Sequence, residues 1–150
     1  MSANPFKQLR IAIIILLALL AIQFEFGMAV NLSALPSISA FGFSFFGVWS
    51  ALAQAGVVAS IHAALGTVLT VLALVGLVMA LASRIRSVQI FAGLGLLSMV
   101  LAEACGLLFV LSGFQNDNLS HGMATNFLLA FVFYFVELYF LKPAITSKGS

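Results

Sequence analysis

The chain contains two histidines, His62 and His121, each near the start of a long apolar segment. Ionisable side chains inside a membrane are costly and mark functional sites. His62 lies 22 residues before Arg84, and His121 lies 21 residues before Lys142, so the two rings are expected at the same depth within roughly 2 Å. Two neutral imidazoles from opposed helices can provide both axial ligands of a haem iron. The pair therefore predicts a site for one haem b, with His62 and His121 as its metal ligands.

Small residues accompany both histidines. Gly66 is four residues after His62 and shares its helix face, and Gly122 directly follows His121. Both glycines leave room for a flat macrocycle, so we expect them to contribute to cofactor binding. Two alternatives stay open. The histidines can bind another metal, or they can serve only as hydrogen-bonding residues between helices.

Three glutamates fall within the apolar segments. Glu25 and Glu103 are expected in the same outer part of the membrane as the histidines, and both are candidates for proton transfer or for contact with a quinone-like substrate. The alternative is that they are neutral packing residues. Glu137 is only five residues before Lys142, so its carboxyl is expected to reach the cytoplasmic interface.

Composition determines the elements that must position these residues. The chain of 150 residues is 63% hydrophobic and 7% charged, whereas about a quarter of a soluble domain is charged. Its mean hydropathy is +1.23. The apolar runs lack the alternation of a transmembrane barrel, which leaves the helix as the spanning structure. The prediction is an all-α membrane bundle in a single domain over residues 1–150, with four helices near Ile11–Leu32, Val57–Ala82, Val88–Leu111 and His121–Leu141.

The basic residues predict the orientation. All six fall on one side of a four-span arrangement: Lys7, Arg10, Arg84, Arg86, Lys142 and Lys148. The positive-inside rule makes that side cytoplasmic, with both termini there, in a plasma membrane. The net charge of +2 thus reflects topology in a lipid bilayer and not nucleic-acid binding.

The first outer connection, residues 33–54, is long, uncharged and rich in aromatic residues: Phe41, Phe43, Phe45, Phe46 and Trp49. Aromatic side chains concentrate at membrane–water interfaces. The composition predicts an interfacial helix or a segment that dips into lipid. A lid over a site on the outer face is the alternative.

Several short motifs carry a resemblance to a known family. In chain order they are Glu25-Phe26-Gly27-Met28-Ala29-Val30, Ile61-His62, Glu103-Ala104-Cys105-Gly106 and His121. This order resembles one four-helix half of the haem A synthase family, in which each half holds a pair of histidines. Ala63 stands where the family commonly has an arginine, and the cysteine pair often found in the first outer loop is missing. The resemblance therefore implies a haem-binding scaffold more directly than it implies oxidation of a haem methyl group.

These observations predict a membrane-bound, b-type cytochrome-like protein for electron transfer or haem handling, alone or with subunits of a respiratory complex. Two alternatives remain. One is a half-size, haem A synthase-like enzyme that works as a homo-oligomer. The other is a structural or assembly subunit without a cofactor.

Overall fold

A computed structural model of the protein describes residues 5–33 and 44–146, with side chains as far as residue 141. The described residues form five helices. They are α1 (Pro5–Leu32), α2 (Phe45–Ala55), α3 (Val57–Ser83), α4 (Arg86–Leu111) and α5 (Asp117–Thr146). Four of them are long and apolar enough to cross a membrane, namely α1, α3, α4 and the Asp117–Leu141 part of α5. The prediction of an all-helical chain with four such helices is confirmed.

Local sequence explains where the helices end. Arg84 adopts a left-handed conformation after α3, with φ of 59°, and the Ser83 hydroxyl accepts a hydrogen bond from the backbone N–H of Ile85. This tight turn reverses the chain into α4. Gly56, with φ of 111°, separates α2 from α3, a conformation that glycine adopts without steric penalty. Gly113 and Phe114 both have positive φ between α4 and α5.

The long helices pack in a ring, in which each contacts two neighbours. Helix α1 lies against α3 and α5, and α4 also lies against α3 and α5. Within the described residues α3 and α5 do not contact each other, so they are diagonal across the bundle. Helix α2 packs on α3 and α4. The diagonal placement matters because His62 lies on α3 and His121 on α5.

Packing differs between the two ends of the bundle. The buried core runs through the half next to the α3–α4 turn, which we call the basic end because Arg84 and Arg86 lie there. Its members are Leu9, Ile13, Leu16, Leu20, Leu69, Ala73, Ala80, Val88, Ala92, Met99, Ala130, Tyr134 and Leu141. The opposite half, which we call the α2 end, contains a cavity between the helices.

The aromatic connection contains a helix in its second part. Ser44 caps α2, because its hydroxyl oxygen accepts a hydrogen bond from the N–H of Gly47 at 3.0 Å. Phe46 is 83% exposed, while Phe45 and Trp49 on the same helix line the cavity. The residues Phe41 and Phe43 lie outside the described part of the chain. Helix α2 thus forms one wall of the cavity, and it also exposes aromatic surface.

Candidate ligand-binding site

The cavity at the α2 end has a volume of about 610 Å³. All five helices contribute to its lining, and most of the lining side chains are apolar. The polar residues on its walls include Gln23, His62 and Glu103. A mostly apolar pocket of about 300–1,000 Å³ with a few convergent polar groups is typical of a site for a cofactor or a small molecule.

His62 lies on the α3 wall of this cavity. Its ring packs against the backbone of Gly27 on α1, where a Cβ atom would lie only 3.0 Å from His62 Cε1. The Gln23 amide nitrogen donates a hydrogen bond to the His62 carbonyl oxygen at 2.9 Å. No described residue provides a partner for the buried Nδ1 of the ring. The Gln23 hydrogen bond restrains the backbone at His62, and the contact with Gly27 restrains its ring.

A cluster of polar side chains surrounds Gly66, which lies one turn after His62 on α3. A Cβ atom at Gly66 would lie 3.2 Å from the Gln23 amide nitrogen and 3.4 Å from Glu103 Oε1. The Thr70 hydroxyl lies 3.1 Å from Glu103 Oε1 and donates a hydrogen bond to it. Gln23 is only 6% exposed, and its amide oxygen has no partner within the described chain. Glycine at position 66 thus allows side chains from α1 and α4 to approach α3.

The α5 wall presents one helix face to the cavity. Ser120, Met123, Ala124 and Phe127 line it, and their spacing of three and four residues corresponds to a single face. Phe127 stacks on Phe24 of α1 with ring centroids 6.2 Å apart. The Ser120 hydroxyl lies 3.1 Å from the Asn31 side-chain oxygen, also across to α1. These two contacts fix both the height and the rotation of α5 beside α1.

The structure does not bring the two predicted histidines together. His121 is exposed and is absent from the cavity lining. It follows Ser120 by one residue, about 100° around the helix, so its ring faces away from the cavity. Gly122 lies against Cys105 of α4, with a would-be Cβ 3.1 Å from the cysteine sulfur. Of the four residues predicted to bind the cofactor, only His62 and Gly66 line the cavity.

The two glutamates predicted to transfer protons also lie in different environments. Glu103 lines the cavity, whereas Glu25 is exposed on the surface of α1. Gln23, two residues before Glu25, lines the cavity instead. Sequence reasoning missed Gln23 because it considered only ionisable groups, although a side-chain amide inside a membrane-spanning segment is itself a polar signal.

The environment of Glu137 differs from the predicted one. Its side chain is only 1% exposed, and neither carboxyl oxygen has a partner in the described part of the chain. The prediction that its carboxyl reaches the cytoplasmic interface is wrong. The side chain lies in the core of the basic end, one turn from the equally buried Tyr134, whose hydroxyl is likewise unpartnered among described residues.

Searches against protein-family models, curated proteins and solved structures find no significant match to this chain. The resemblance to a half of haem A synthase therefore stays a prediction that rests on its short motifs. The local geometry remains as the guide to function.

The donor set of the cavity suits a porphyrin better than a bare metal ion. No group of three or more His, Cys, Asp or Glu side chains able to hold a metal was found among the described residues. The cavity offers one imidazole, from His62, and the rest of its lining is mostly apolar with a few polar side chains such as Gln23 and Glu103. A porphyrin brings four nitrogen ligands of its own and needs only axial ligands from the protein. The residues present therefore fit a haem with His62 on one face.

Proposed function

We propose that this chain is a membrane-bound cytochrome-like protein, which holds one haem b in the cavity at the α2 end and serves electron transfer or haem handling. The observation that carries the proposal is the imidazole of His62, which lies on the wall of a mostly apolar cavity and packs there against the backbone of Gly27. A mostly apolar pocket with few polar groups suits a flat, largely apolar cofactor. An imidazole is the iron ligand that a haem requires from the protein.

The surroundings of His62 support this assignment. Gly27 lets the ring sit directly against α1, and the Gln23 hydrogen bond to the His62 carbonyl restrains the backbone at that residue. Both contacts restrain the position of His62 on the cavity wall. Asn31 and Ser120 both line the cavity, and the Ser120 hydroxyl donates to the Asn31 side-chain oxygen, so the Asn31 amide nitrogen can donate to a haem carboxylate. Haem supplies one-electron chemistry when it is bound there.

Glu103 has a separate role in this proposal. Its side chain lines the cavity and accepts a hydrogen bond from the Thr70 hydroxyl. It is therefore placed to hold a proton beside the cofactor. A proton taken up at Glu103 would offset the negative charge that enters the apolar cavity with an electron. Glu25, on the exposed side of α1, has no part in that step.

The membrane orientation forms part of the same proposal. The chain is inserted in the plasma membrane with the basic end and both termini in the cytoplasm, and the cavity lies in the outer leaflet. The concentration of Lys and Arg at one end supports this orientation. Fusion of a reporter that is active only after export should give no signal at either terminus. The same reporter inserted after Asn116, in the α4–α5 connection, should be active.

Haem binding is tested with the purified full-length chain in mild detergent. Addition of haem b should give Soret and α bands in reduced-minus-oxidised spectra. It should also quench the fluorescence of Trp49, the only tryptophan of the chain, which lines the cavity. His62→Ala should weaken binding by more than about tenfold, equivalent to 1.4 kcal/mol, whereas His121→Ala should bind haem like the wild type. Absence of haem bands in the wild-type protein defeats the proposal.

A quinol is the second candidate ligand, favoured by two polar side chains of the cavity lining, Gln23 and Glu103, which both approach Gly66. Both can accept hydrogen bonds from quinol hydroxyls. Under this alternative, a short-chain quinol quenches Trp49 fluorescence while haem does not, and Gln23→Leu abolishes the quenching.

A further inference from the structure

The cavity contains a second group that can coordinate iron. Three methionines line it, namely Met28, Met99 and Met123. Thioether sulfur together with histidine is an established axial pair for haem iron. The position of each methionine relative to His62 decides which of them can serve.

Met123 lies at the height of His62, as the contacts through α1 show. Gly27 touches the His62 ring, and on α1 it lies between Phe24 and Asn31. Those two residues contact Phe127 and Ser120 of α5, respectively. The part of α5 level with Gly27, and so with His62, is therefore close to residue 123.

The contacts through α4 lead to the same height. Glu103 lies beside Gly66 of α3, and Gly106 lies beside Met123, with a would-be Cβ 3.1 Å from the methionine sulfur. His62 is four residues from Gly66 towards the α2 end, about 6 Å. Gly106 is three residues from Glu103 in the same direction, about 4.5 Å. The contacts through α4 thus place Met123 at the same height as His62 to within roughly 2 Å, as do the contacts through α1.

Met28 and Met99 are in less suitable positions than Met123 for a ligand opposite His62. Met28 is the neighbour of Gly27, on the α1 wall that His62 itself touches, and it is 41% exposed. Met99 lies one turn from Glu103 towards the basic end, which puts it about 12 Å deeper than His62. Met123 combines equal height, a place on the diagonal helix and a position in the cavity lining.

We propose that Met123 of α5, and not His121, supplies the axial ligand opposite His62. This inference rests on the proposed haem binding. Turning α5 by about 100° to bring His121 inwards would break the Phe24–Phe127 stack and the Ser120–Asn31 contact. Gly106 provides the space that the Met123 side chain occupies beside α4, and the unbranched thioether adjusts easily to a ligand.

Spectroscopy of the haem-loaded, full-length protein tests this assignment. The ferric protein should show the near-infrared charge-transfer band of a thioether ligand. Met123→Leu should lose the band while it still binds haem through His62. The matched variant Met99→Leu and the variant His121→Ala should both keep it. Met123→His should lower the midpoint potential, because a methionine ligand raises the potential relative to histidine.

The outcomes separate the two proposals. Haem that binds in a His62-dependent manner, but without the thioether band or with a band that survives Met123→Leu, overturns the Met123 assignment and leaves haem binding intact. Loss of the second axial ligand in His121→Ala does the same in favour of a histidine pair. No haem binding by the wild-type chain overturns both.

Discussion

The imidazole of His62 on α3 lies directly on the backbone of Gly27 on α1, so closely that a Cβ atom at residue 27 would be 3.0 Å from His62 Cε1. The close approach is possible because residue 27 has no side chain. Gly27 and His62 both line the cavity, so this contact sets the position of the ring on the cavity wall. The position of the proposed axial ligand therefore depends on a glycine of another helix.

Gly27→Ala should displace the His62 ring and weaken haem binding by about tenfold, since overpacking in a closely packed site costs roughly 1–3 kcal/mol. Titration of haem against Trp49 fluorescence measures the effect. Gly76→Ala is the matched control, because a Cβ atom at Gly76 meets nothing within 4 Å. Equal affinities of the two variants would show that Gly27 does not position the ring.

Gly95→Ala should destabilise the bundle independently of any ligand. A Cβ atom at Gly95 would lie 2.6 Å from Tyr134 Cζ, so the buried tyrosine ring must move within the core. The expected cost is about 1–3 kcal/mol, visible as a lower thermal midpoint in detergent by circular dichroism. Gly93→Ala, on the same helix, serves as the control because its new methyl meets nothing within 4 Å. A Gly95→Ala midpoint equal to that of Gly93→Ala would contradict the close contact.

The sequence predicted the helices well because length and hydropathy alone decide whether a segment can span lipid. The predicted helices near residues 57–82 and 88–111 match Val57–Ser83 and Arg86–Leu111 closely. Helix α1 begins at Pro5, six residues before the predicted start at Ile11. Proline is favoured at the first position of a helix, so Pro5 was the available signal.

The rotation of each helix about its axis could not be predicted in the same way. A helix that is apolar all round has no polar stripe to show which face meets its neighbours. Counting residues from the basic end therefore predicted depth, but it could not tell Met123 from His121 or Gln23 from Glu25. The structure resolves these pairs through contacts between distant residues, such as Phe24 with Phe127.

Thr70 and Glu103 should couple weakly in a double-mutant cycle. Their side chains share one hydrogen bond of 3.1 Å between α3 and α4. Hydrogen bonds between membrane helices contribute about 0.6 kcal/mol on average. The single variants Thr70→Val and Glu103→Met and the double variant, unfolded reversibly in mixed micelles, should give a coupling free energy of about that size. A coupling of zero would mean that the hydrogen bond adds nothing to stability.

Glu137→Met should raise the stability of the protein. The native carboxyl is 1% exposed, and both of its oxygens lack partners within the described residues, so its burial costs about 1–3 kcal/mol without a compensating hydrogen bond. Methionine has a similar length and no atom that requires a partner. Its thermal midpoint in detergent should exceed that of the wild type, while Glu137→Gln, which keeps the buried polar atoms, should stay close to the wild-type value. A lower midpoint for Glu137→Met would show that the carboxyl has a partner in the folded protein. Tyr134, one turn away, whose hydroxyl is also buried and without a partner among the described residues, would then be the first residue to substitute.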